Sequence, residues 1–109
     1  MTLEDLVGKR ARITVNEGSR PLVIDMEFAG RISRLAPESG THARFGASVE
    51  VDQPPIPEFK GFTMFVSPRY VGKALDDSDE REIVIVNIAL RGPSGKLLAR
   101  GIGSLEVAP

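Results

Sequence analysis

Apolar and polar residues alternate along most of this chain, and a period of two describes a strand with one buried and one wet face. Ala11, Ile13 and Val15 alternate with Arg10, Arg12 and Thr14. Leu22, Ile24, Met26, Phe28 and Ile32 alternate with Asp25, Glu27, Arg31 and Ser33, and Gly30 takes an inward position where a bend or bulge fits. A third run sets Ala43, Phe45, Ala47, Val49 and Val51 against Arg44, Gly46, Ser48, Glu50 and Asp52. Phe62, Met64 and Val66 form a short fourth run ending at Ser67-Pro68. The fifth run, Ile83 to Leu90, places Val84, Val86, Ile88 and Leu90 on one face and Ile83 and Ile85 on the other, the composition of a central strand covered on both sides. Lys96 to Val107 is the sixth, with Gly101 and Gly103 marking a bulge or a close backbone approach.

The connections fit this reading. Asn16 to Ser19 and Ala36 to Gly40 have hairpin length and turn-forming residues. Pro54, Pro55 and Pro57 remove backbone donors, so Gln53 to Pro57 is expected to cross between two halves of the fold. Gly92-Pro93-Ser94-Gly95 should turn the fifth strand back onto the sixth. Thr2 to Gly8 carries a capping residue, Leu3 and Leu6 on one face and a terminal glycine, which predicts one short helical turn. The expected fold is all-β: a single domain over residues 1–109, a small antiparallel six-stranded barrel or alternatively a two-sheet β-sandwich.

Composition excludes several functions. Fourteen basic and fifteen acidic residues leave a net charge of −1, so no global field favours nucleic acid or an anionic membrane. Without cysteine there is no thiolate metal site, iron–sulfur cluster or cysteine nucleophile, and the single histidine, His42, forms no two-histidine metal motif. No stretch approaches the roughly 18 apolar residues of a membrane span, and the acidic opening is unlike a secretory signal; a cytoplasmic protein is expected.

Motif tests are negative. Asp77 and Asp79 begin like a calcium loop, but Arg81 and Glu82 stand where the fifth ligand and the turning glycine belong. Gly95-Lys96 lacks the first glycine and the hydroxyl of a phosphate loop, and no helix follows Gly101-Ile102-Gly103. The opening, Leu3 to Arg10 followed by a strand and Gly18, is similar to that of Sm-like RNA-binding proteins. Leu35-Ala36 replaces the acid and asparagine that follow their second strand, and the chain is not assigned to them.

Three functional readings follow. The leading one is a non-catalytic protein-interaction or self-assembly module without cofactor or metal. Its partner is a protein or a second copy, as in a homodimer, bound through a strand edge and Arg69, Tyr70 and Lys73, where the only tyrosine sits between two bases. An RNA-binding barrel using Arg31, Arg34 and Arg44 is an alternative, disfavoured because few aromatics are free to stack on bases. The other is a metal-dependent enzyme built on Asp25, Glu27, Glu50 and Asp52. Against that stands a register with Val15 opposite Leu22, which sets Arg12 across from Asp25 and Arg10 across from Glu27 and neutralises the face.

Overall fold

A computed structural model of the chain describes residues 7–37, 45–68 and 83–107. Six strands, β1 (Arg10–Gly18), β2 (Glu27–Pro37), β3 (Phe45–Gln53), β4 (Thr63–Pro68), β5 (Ile83–Arg91) and β6 (Leu97–Val107), pair in chain order, all antiparallel. Pairing of β1 with β6 closes them into a barrel. The barrel, rather than the sandwich, is the solution because each strand has one apolar face and a closed sheet buries all six at once. Closure also removes the open strand edges that the leading functional reading invoked for docking. A lone 3-10 turn, Pro57–Phe59, is the only helical element among the described residues. Of the helical turn expected over Thr2 to Gly8, only Val7 and Gly8 are described, as a turn.

Apart from the start of the second run, the inward set is the one the alternation predicts. Ala11, Ile13, Val15, Phe28, Ile32, Ala47, Val49, Val51, Met64, Val66, Val84, Val86, Ile88, Leu90, Ala99, Leu105 and Val107 are buried in one cluster. Two loop residues plug the barrel end where β1–β2 and β3–β4 connect. Leu22 reaches in from the first loop and Phe59 from the second, its ring 5.4 Å from both Phe28 and Phe62.

Curvature comes from irregular pairing. Register shifts occur at Ala29/Gly30, Ile32/Arg34, Val15/Glu17 and Leu90/Arg91. At Gly30 the β3 backbone comes so close that a Cβ would press on the Glu50 carbonyl. Gly103 and Gly101 of β6 lie equally close to the carbonyls of Thr14 and Glu17, so the expected close approach is between β6 and β1.

Four expectations are corrected. Strand β1 does not turn at Asn16; it runs to Gly18 along β6, and β2 begins only at Glu27. The intervening loop is held by Ser19 N donating to Arg100 O and Asp25 N donating to Val15 O, with Asp25 at φ 71°. Period two therefore stops before β2, and Ile24 is 64% exposed instead of inward. The β1–β2 register consequently pairs Ile13 with Phe28 and Arg12 with Ala29, not Val15 with Leu22. The proline segment does not cross between halves: it belongs to the loop joining the neighbours β3 and β4, and Pro57 starts the 3-10 turn.

The fourth concerns β5, which is covered on its inner face alone: Ile88 is buried, whereas Ile85 lies half-buried on the outside. The same substitution should therefore have unequal effects on one strand. Ile88→Ala is expected to cost about 2–5 kcal/mol and Ile85→Ala about 1 kcal/mol or less, read from denaturant midpoints. Equal losses would mean that the Ile85 stripe is covered.

Candidate functional site

Charge divides the outer surface into two unlike halves. On the β1 side the arginines are neutralised. Arg10 donates two hydrogen bonds to Asp52, one of them 2.8 Å from Nη2 to Oδ1. Arg12 bonds Glu106 across β1–β6 at 2.9 Å and lies 4.0 Å from Glu27. The hydrogen bonding from Arg10, joined by the Coulombic attraction of Arg10 and Arg31, holds the Asp52 carboxyl below the ordinary carboxylate range against the opposing effect of desolvation.

The expected carboxylate set is thus divided. Glu50 and Asp52, two apart on β3, share a shallow groove with Arg31, while Asp25 sits in the first loop and Glu27 at the start of β2 beside Arg12. Neutralisation holds, but with other partners than the sequence register proposed: Arg10 meets Asp52, not Glu27, and Arg12 meets Glu106, not Asp25. Among the described residues no three His, Cys, Asp or Glu side chains come together as a metal site.

The opposite half is built differently. Strand registers align five outward residues in one transverse row: Arg34 of β2, Ser48 of β3, Phe65 of β4, Ala89 of β5 and Arg100 of β6. Four strand spacings of about 4.8 Å separate the end residues by about 19 Å along the curved sheet. Phe65 is half-buried, and the tip of its ring covers Gly46. The small side chains of Ser48 and Ala89 flank it and give a shallow floor.

One row further along the strands, Thr63 pairs with Arg91, whose guanidinium donates to Gly95 O at 2.9 Å and is thereby held at the rim of the β5–β6 turn. A groove of about 540 Å³ runs between Arg34, Thr63, Phe65, Arg91 and that turn. A second groove, about 310 Å³, continues on the far side of Phe65 past Asn87 to Arg100, sharing Phe65 and Ala89 with the first. No carboxylate of the described residues lies within 4 Å of Arg34, Arg91 or Arg100.

Comparison with protein-family models, with curated proteins and with solved structures finds no match. The site must therefore be read from its own geometry.

Of the residues singled out from the sequence, Arg69, Tyr70, Lys73 and Arg44 lie outside the described residues. Arg31 and Arg34 are both exposed on β2, but only Arg34 borders the large groove; Arg31 faces Glu50. Phe65, Arg91 and Arg100 escaped sequence reasoning. The signal for Phe65 was its phase: Met64 and Val66 point inward, so the aromatic between them points out. Nothing in the sequence brings Arg34 of β2 and Arg100 of β6 to the same row, which runs through β3, β4 and β5.

No helix among the described residues is long and apolar enough to cross a membrane.

Proposed function

We propose that this protein is a non-catalytic interaction module that binds an anionic partner on the outer face of β3, β4 and β5, centred on Phe65. One observation carries the reading: Arg34, Arg91 and Arg100 surround a surface aromatic and have no acidic partner among the described residues, although the chain as a whole is nearly neutral. Unpaired arginines beside an aromatic offer bidentate donors and contact area together, the combination that recognition surfaces favour.

Of the acids a second copy would offer, Glu27, Asp52 and Glu106 are already engaged by Arg10 and Arg12. The occupant proposed for this face is a different, polyanionic molecule. Arg69, Tyr70 and Lys73 remain candidates for the same contact, since they follow Phe65 in the chain by four to eight residues.

The test is a nuclear magnetic resonance titration of the full chain with inorganic polyphosphate. Amide shifts should concentrate on Ser48, Thr63, Phe65, Ala89 and Arg91. Because charge-assisted hydrogen bonds contribute about 1.5–3 kcal/mol each, replacing both Arg34 and Arg91 by glutamine should weaken binding more than tenfold. Shifts confined to the side of the barrel around Arg10, Arg12, Asp52 and Glu106, or no shifts at all, would refute the proposal.

A further inference from the structure

We infer that the ligand of this face is single-stranded nucleic acid, an inference that rests on the preceding proposal and adds the chemical class of the partner. Three features of the surface select it. The first is shape: the two grooves meet at Phe65 and Ala89, so the surface is a track running from the Gly92–Gly95 turn past the aromatic to Gly101, suited to an extended chain rather than a compact ion. The second is the order of groups along the track. Arginines stand at its ends and rim, Arg34 and Arg91 on one side and Arg100 on the other, with the aromatic between them. A strand of nucleic acid carries the matching order, since phosphates flank every base and bases stack on aromatic side chains.

The third feature is the floor. Phe65 has the small residues Ser48 and Ala89 as its cross-strand neighbours, so among the described residues neither directly paired side chain is bulky enough to block a planar base. A duplex keeps its bases stacked inside and has no use for the ring. An acidic peptide would satisfy the arginines, but it gains only apolar contact from Phe65. The near-neutral total charge, which weighs against nucleic acid when the chain is treated as a whole, averages this cationic track with acidic residues elsewhere, among them Glu17, Asp25, Glu50 and Glu58.

Fluorescence anisotropy with the full chain and four labelled probes tests the inference: a twelve-nucleotide oligo(U), the same length of oligo(dT), a twelve-base-pair duplex and a deca-glutamate peptide. Single strands should bind more tightly than the duplex and the peptide, and the two single-strand arms show whether RNA or DNA is preferred. Phe65→Leu keeps an apolar cover over Gly46 while removing the ring; it should weaken single-strand binding about tenfold or more, from a stacking contribution of about 1–3 kcal/mol per base. Phe65→Tyr should retain binding.

The double variant Arg34→Gln/Arg100→Gln alters no core residue, so it remains informative even if a Phe65 variant fails to fold. It should lower affinity and reduce the slope of log K against log salt by about 1.4, at about 0.7 per phosphate contact on a single strand. Deca-glutamate binding as tightly as oligo(U), with Phe65→Leu neutral for both, would overturn the nucleic-acid assignment and leave the binding face standing. Absence of binding to every polyanion would overturn both. Single-strand binding unaffected by Phe65→Leu and by the double arginine variant would place nucleic acid elsewhere on the protein and overturn the inference.

Discussion

Phe28→Ala should lower the unfolding free energy by about 3–5 kcal/mol, about a fifth or more of what a domain of this size commonly has. Phe28 is fully buried, faces Ile13 across β1–β2 and packs its ring 5.4 Å from Phe59. Truncation removes the largest side chain among the fully buried ones and also takes away the surface against which the plug of the β3–β4 loop rests. The barrel wall is hydrogen-bonded on both sides of β2 and cannot move in to fill the space, so the cavity term persists. Urea unfolding of wild type and variant measures the difference. A loss below about 1 kcal/mol would show that the Phe59 plug collapses into the vacated volume.

Gly30→Val should be comparably damaging for the opposite reason. A Cβ on Gly30 meets the carbonyl of Glu50 and the Cα of Val51, and these are backbone atoms of the neighbouring strand, not the end of a side chain that can swing away. The β2–β3 pairing would have to open at the Ala29/Gly30 bulge, at a cost of about 3 kcal/mol or more, the upper part of the overpacking range. Gly92→Ala provides the contrast, since the nearest atom to its Cβ is the Leu98 side-chain carbon Cδ1 at 3.4 Å. Thermal unfolding should separate the two by more than 10 °C, at about 4–8 °C per kcal/mol for a chain of this length. Similar melting temperatures would show that the β3 backbone yields at Glu50.

These effects rest on residues whose burial was legible. Ile13, Phe28, Val49, Met64, Val86 and Leu90 lie inward because alternation fixes which face of a strand is apolar, and that follows from each strand alone. Ile24 was misread because alternation carries no mark of where a strand begins. The chain from Ser19 to Met26 is a loop shaped by hydrogen bonds to Val15 and to Arg100 of a distant strand, and period two within it was coincidence. Register was the other gap. Arg12 finds Glu106 across the closing pair of strands, ninety-four positions away, and no local pattern encodes that distance. The candidate site shows both sides of this. The outward phase of Phe65 was readable, whereas its alignment with Arg34 and Arg100 depends on four successive registers, one of them displaced by the bulge at Ile32/Arg34.

The pairing order also determines where the entropy of folding is spent. Five of the six strand pairs join neighbours in the chain, and each closes a connection far shorter than the one the sixth must close. The sixth brings Ala11 to Val107 across almost the whole sequence. Long-range closure of this kind slows folding, because the chain must be confined before the contacts that reward confinement exist. Gly101 and Gly103, which admit the β1 carbonyls, and the Arg12–Glu106 pair all sit on that seam. The most demanding step of assembly is thus served by the two closest backbone approaches on β6 and by an ion pair on the surface that spans the ring's last gap.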